Sequence, residues 1–198
     1  MTETVTLDST GGPPQGILDR RRHPRDVFVE FRGVHKSYGP KEVLRGVDLK
    51  VYRGEVLVIL GGSGSGKSVT LRHILGLEDP DAGSVLVEDE DITGLPEEDL
   101  YRVRKKFGML FQGAALFDSM NVFENIAFPL REHTDMSEEE ITRAVTGKLE
   151  LVDLPGTEHL MPIDLSGGMR KRVGLARSIV LDPRMILYDE PTTGLDPI

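Results

Sequence analysis

The residues best suited to chemistry in this 198-residue chain are Gly61-Gly62-Ser63-Gly64-Ser65-Gly66-Lys67-Ser68. Their spacing is G-x-x-x-x-G-K-S. They follow an apolar run, Val56-Leu57-Val58-Ile59-Leu60, and precede a helix-like run, Val69-Thr70-Leu71-Arg72-His73-Ile74-Leu75. A strand before and a helix after form the context in which this spacing makes a phosphate-binding loop. Triphosphate oxygens must meet several backbone N–H groups at once. Glycines let the backbone curl into that cradle, with positive φ where needed and no Cβ in the way. A helix opening at Lys67 aims its N–H groups and positive dipole end at the anion. Lys67 has the reach for the β- and γ-phosphates, and the Ser68 hydroxyl suits Mg²⁺.

A second set lies about 120 residues further on, where Met185-Ile186-Leu187-Tyr188 runs into Asp189-Glu190. An apolar strand that delivers carboxylates at its C-terminal end places them where open α/β sheets bind ligands. Asp189 is the expected Mg²⁺ ligand and Glu190 the group that polarises the attacking water. Alone, such a strand end is more often an ordinary capping aspartate. Its pairing with the phosphate loop carries the assignment.

Several elements must position these residues. Residues 1 to about 25 read as a disordered leader, rich in Thr, Ser, Gly and Pro. Within it, Arg20-Arg21-Arg22-His23-Pro24-Arg25 is either a solvated linker or a contact for anionic lipid headgroups. Strands are predicted at 27–31 and 43–51 with a turn at Tyr38-Gly39-Pro40-Lys41, at 55–60, and at 84–87 after the turn Asp79-Pro80-Asp81-Ala82-Gly83. Pro96-Glu97-Glu98-Asp99 opens a helix, and 107–111 is a short apolar strand. Helices are predicted at 122–130, at 137–152 behind the capping box Ser137-Glu138-Glu139-Glu140, and after Ser166. The fold class is α/β, a core interrupted by a helical insert at about 113–182.

Composition narrows the function classes. A net charge of −9 and a pI near 5.1 argue against nucleic acid as a partner. The absence of cysteine removes disulfide and thiol chemistry. No apolar run reaches the roughly 18–20 residues of a membrane-spanning helix, and Met1 to Leu18 lacks the pattern of a secretory signal. Any membrane association is therefore expected to come through a partner.

Between the two phosphate-site motifs lies Leu165-Ser166-Gly167-Gly168-Met169, followed by Arg170-Lys171-Arg172-Val173-Gly174-Leu175-Ala176-Arg177. It resembles the signature of ATP-binding-cassette (ABC) ATPases, in which Leu-Ser-Gly-Gly-Gln is usual. The physical logic is a second anion site: Ser166 caps a helix, and Gly167 and Gly168 expose backbone N–H groups. The resemblance covers roughly residues 27 to 198. It implies a P-loop NTPase fold with an antiparallel β subdomain and a helical insert within a cassette spanning 26–198. It also implies ATP with Mg²⁺, and a head-to-tail dimer in which each signature serves the other subunit's nucleotide. Residue by residue, it implies that Tyr38 stacks on adenine, that Gln112 reaches Mg²⁺ and the attacking water, and that Asp196 in Gly194-Leu195-Asp196-Pro197 signals across the dimer.

Two departures stand out. Met169 replaces the common glutamine, which is not a phosphate ligand, so activity is expected to survive. The family also continues for about 50 residues to a histidine on the γ-phosphate. The five histidines here, at 23, 35, 73, 133 and 159, all precede Glu190. The expectation is a C-terminally truncated cassette, catalytically poor or unstable, with an unpaired edge beside the phosphate-loop strand.

The stretch from Phe111 to His133, with the loop and signature, is most similar to the ATPase subunit of Mla/Mce-type lipid transporters. That resemblance implies a membrane permease docking near Phe117, Met120, Val122 and Phe123, a cytoplasmic location on the inner face of the membrane, and a phospholipid cargo handled by partners. The same four side chains also suit plain helical core. Another ABC importer or exporter ATPase, and a soluble ABC protein without transport, are the alternatives.

Overall fold

The computed structural model describes residues 2–6, 27–110 and 114–189, the first of these by backbone alone. Gln112, Glu190, Asp196 and the basic run at 20–25 lie outside the described residues. The chain divides into two compact units, Met1–Arg104 and Lys105–Ile198.

In the first unit, β1 (Thr2–Thr6) is followed by β2 (Val27–Tyr38) and β3 (Lys41–Tyr52). The latter two pair antiparallel down to Tyr38↔Lys41, leaving a two-residue turn at Gly39-Pro40. Both strands run longer than the sequence predicts. Apolar patterning marks only the buried part, whereas ladder hydrogen bonds carry the polar ends onward. β4 (Val56–Leu60) leads through the glycine-rich loop into α1 (Lys67–Ile74). β5 (Ala82–Val87) and β6 (Glu90–Asp91) complete an antiparallel sheet of order β3-β2-β5-β6, and α2 (Glu97–Arg104) follows. Phe28, Phe31, Val34, Leu44, Val85 and Val87 are the buried heart of this sheet. α2 starts immediately after Pro96, with Glu97, Glu98 and Asp99 in its first turn against the positive dipole end.

The leader expectation fails at Thr2–Thr6. This segment is a strand, parallel to β4, with Thr4 opposite Val58. β1 thereby covers one side of the phosphate-loop strand, and β4 has no second paired strand among the described residues. Thr-Glu-Thr-Val-Thr is short, but it is β-branched at four of five positions and suits a ladder. An open edge supplies the unpaired N–H and C=O groups that such a segment needs.

In the second unit, β7 (Phe107–Leu110) precedes α3 (Val122–His133), α4 (Glu138–Leu151), α5 (Gly167–Ser178) and β8 (Met185–Tyr188). β7 and β8 pair in parallel from Phe107↔Met185 to Leu110↔Tyr188. The three helices bury Val122, Ile126, Leu130, Ile141, Val145, Leu149, Val173 and Ala176 in one cluster. The i, i+4, i+8 spacing along α3 and α4 puts each set on a single face. Capping boxes begin α3 at Asn121/Glu124 and α4 at Ser137/Glu140. β7 lies hard against the end of α5: a Cβ on Gly108 would come within 2.2 Å of the Ser178 carbonyl oxygen. No helix among the described residues is long and apolar enough to cross a membrane.

Candidate functional site

The loop 61–66 is shaped by its glycines. Gly64 and Gly66 have φ of +76° and +99°, the left-handed region that costs other residues most. At Gly66 a Cβ would also lie 2.9 Å from Leu44 Cδ2 and 3.1 Å from Val43 Cγ1. β3 therefore forms the floor of the loop and excludes any larger residue there. Gly66 is the N-cap of α1 without a side-chain cap bond, so no side-chain cap competes with a ligand for the first-turn N–H groups. Lys67 Nζ donates to Gly61 O at 2.8 Å and to Gly62 O at 3.1 Å, drawing the loop around its own cation. Ser65 Oγ is buried without a hydrogen-bond partner among the described residues. A curled backbone, a poised ammonium and an orphaned buried hydroxyl together fit a polyphosphate. Ser68, in the first turn of α1, has the chemistry for the magnesium that accompanies one.

Tyr38 ends β2 and is 41% exposed. Its hydroxyl donates to Glu78 Oε2 at 2.6 Å, and Lys36 Nζ stands 5.8 Å from the ring centroid. Glu78's carboxyl is held below its ordinary 4.5, first by the Tyr38 hydroxyl and then, against the opposing cost of burial, by Lys36.

On the second unit, Ser166 is the N-cap of α5 and its hydroxyl accepts from Met169 N at 3.2 Å. Gly167 and Gly168 form the first turn. A Cβ on either would meet nothing within 4 Å among the described residues. Packing among the described residues thus leaves room for a larger side chain at both positions. Asp189 follows the last residue of β8, and its N–H donates to Leu110 O at 3.2 Å. β7 and β8 end side by side, so the chain leaves toward Gln112 and toward Glu190 from the same end of the pair.

Three residues escape sequence reasoning. Lys41, the first residue of β3, brings Nζ to 2.9 Å from where a Cβ of Gly64 would lie, a second cation at the loop. Its neighbourhood in Tyr-Gly-Pro-Lys reads only as a turn. Glu78 is hidden in the same way by the Pro/Gly turn after α1. Arg177 Nη2 donates to Ala114 O and Ala115 O, both at 2.9 Å. Those two alanines have φ of +68° and +44°, strain that persists only where the surroundings fix it. No local pattern marks an arginine in the last turn of a helix for that task.

Comparison with known proteins agrees with this geometry. The family described as ABC transporter matches residues 44–193. The chain is 51% identical over 177 residues to the probable ribonucleotide transport ATP-binding protein mkl of Mycobacterium leprae, covering 89% of this chain and 51% of that protein. It is 46% identical over 171 residues to the intermembrane phospholipid transport system ATP-binding protein MlaF of Escherichia coli K12, covering 86% of this chain and 64% of MlaF. The chain thus spans about half to two thirds of the length of these relatives. Among solved structures it is similar to the ATP-binding cassette MJ0796, a dimer in a post-hydrolysis state bound to ADP and Pi. That likeness has a TM-score of 0.76 at 34% identity and covers 85% of this chain and 76% of that one. A cassette fold, a glycine-built phosphate loop and a family match over three quarters of the residues lead to one conclusion: the chain belongs to the ABC transporter family.

Proposed function

We propose that this chain is the ATP-binding and ATP-hydrolysing subunit of a membrane transporter whose cargo is a phospholipid or similar lipid. The observation that carries the nucleotide half is the loop itself, whose curl, cation and open helix start suit a triphosphate. In this reading Lys67 and the N–H groups of 61–68 hold the β- and γ-phosphates, and Tyr38 stacks on the base. Ser68, Asp189 and Gln112 serve Mg²⁺, which when bound neutralises charge on the phosphate oxygens. Glu190 takes a proton from the attacking water while Gln112 helps orient it. Ser166, Gly167 and Gly168 serve the nucleotide of a second copy, and Asp196 signals between the copies. Closure of that dimer drives an integral-membrane permease, which holds the chain at the inner face of the membrane.

The lipid half rests on the likeness to MlaF and on the stretch from Phe111 to His133. The likeness to the mycobacterial ribonucleotide transport protein favours a second cargo, a ribonucleotide. Isolation of the full-length protein with its permease, followed by reconstitution into vesicles, separates the two. ATP-dependent movement of labelled phospholipid is expected. Movement of a ribonucleotide, or co-isolation with ribosomes in place of a permease, overturns the lipid reading.

A further inference from the structure

The segment between α1 and β5 grips the last three residues of β2. Tyr38 Oη donates to Glu78 Oε2 at 2.6 Å. Lys36 Nζ lies 3.3 Å from the other carboxylate oxygen and donates to Asp79 O at 2.8 Å and Asp81 Oδ1 at 3.1 Å. Ser37 N donates to Asp81 Oδ2 at 2.6 Å. The hold continues into α1. His73 Nδ1 stands 2.6 Å from the Glu78 carbonyl oxygen. A carbonyl only accepts, so the imidazole proton sits on Nδ1. His73 is 1% exposed and its Nε2 is buried without a hydrogen-bond partner among the described residues, so there the ring makes one bond. The helix that opens at the phosphate loop therefore holds the backbone of Glu78, and the side chain of Glu78 holds the ring of Tyr38.

We propose that Glu78 is a positioning residue that sets the Tyr38 ring for the nucleobase, so that the base platform and the phosphate loop are ordered through one helix. The proposal rests on the reading of Tyr38 as the base platform. A half-exposed tyrosine that turned freely would lose its freedom at the moment of binding. One anchored at its hydroxyl has lost it already, which improves affinity by about three- to tenfold.

The test compares Kd values of the full-length chain for ATP and for tripolyphosphate, which lacks a base. Glu78→Ala and Tyr38→Phe each remove the hydroxyl–carboxylate bond. Each is expected to weaken ATP by about three- to tenfold and to leave tripolyphosphate within about twofold. The double variant is expected to lose no more than either single one, because both remove the same bond. Glu78→Gln, whose amide oxygen still accepts from Tyr38, is expected to recover most of the affinity. An unchanged ATP-to-tripolyphosphate ratio in both Glu78→Ala and Tyr38→Phe overturns the proposal, and so does an equal loss for the two ligands, which would mean damage to the loop. Tyr38→Ala separates the two levels. A ratio unchanged in that variant overturns the platform reading itself, whereas a ratio altered there but not in Tyr38→Phe overturns only the role of Glu78.

Discussion

The two units each present a helix start with adjacent glycines, and they build it in opposite ways. In the first unit the glycine ahead of α1 is enclosed. Gly66 has φ +99°, its Cβ position is blocked by Leu44 and Val43, and the helix has no side-chain cap. In the second unit the glycines opening α5 face open space, and Ser166 already satisfies one N–H of the first turn. The first site is made by its own chain: floor, cation and curl are all present. The second keeps its glycines free of its own packing, as a surface does when something else must come close. The same local device, a helix dipole with first-turn N–H groups, is thus enclosed by its own chain in one place and left open in the other.

Variants sharpen or break that contrast. The largest effect is expected from Glu190→Gln, which should slow ATP hydrolysis by roughly 10²–10⁴-fold while nucleotide binding persists. Phosphate release near the wild-type rate would remove Glu190 from the chemistry. Next comes Gly66→Ala. A left-handed alanine costs about 1–3 kcal/mol, with the Leu44 clash added. Both the thermal midpoint and ATP binding should fall. A variant that melts and binds like the parent would mean that the loop can relax, and the enclosed half of the contrast would be lost.

Gly168→Ala is the matched substitution in the second unit. Alanine there meets open space and favours a helix by up to about 1 kcal/mol. The thermal midpoint is expected to hold or rise slightly while ATP-dependent association of two copies declines. Retained association in that variant would argue that the signature glycines serve nothing outside their own chain. The smallest effect is expected from Lys41→Gln. An exposed charge near the loop contributes no more than about 1 kcal/mol and is screened by salt. ATP affinity should fall a fewfold at low ionic strength, and the deficit should shrink as salt rises. A deficit indifferent to salt would place the role of Lys41 in packing.

The acidity of Glu78 gives a further check on the first unit. Its carboxyl is lowered in the folded chain, chiefly by the Tyr38 hydroxyl. The stability that it contributes is therefore present in full above its ordinary 4.5, and is lost as pH falls below that value through the lowered one. The stability difference between parent and Glu78→Gln is expected to narrow over that acidic window. A constant difference would detach the carboxylate's charge from the hold on Tyr38.

The amino-acid sequence alone determined the glycine-rich loop between a strand and a helix, the helix start at Ser166 and most of the elements around them, β1 and β6 excepted. Each rests on local chemistry: glycines where the backbone must curl, Ser137 and Ser166 where helices start, and apolar runs where strands are buried. The capping box predicted at Ser137 and the cap predicted at Ser166 are both present, because a cap concerns only three or four consecutive residues. Tertiary structure alone decided what depends on distant partners. Val43 and Leu44 make Gly66 obligatory from about 20 residues away. Thr2–Thr6 became a strand because β4 offered an edge, a property of the sheet and not of those five residues. Glu78 and Arg177 acquired their tasks because a turn and a helix met Tyr38 and a pair of strained alanines. Local rules write elements and loops into sequence, whereas pairings between segments far apart in the chain exist only once it has folded.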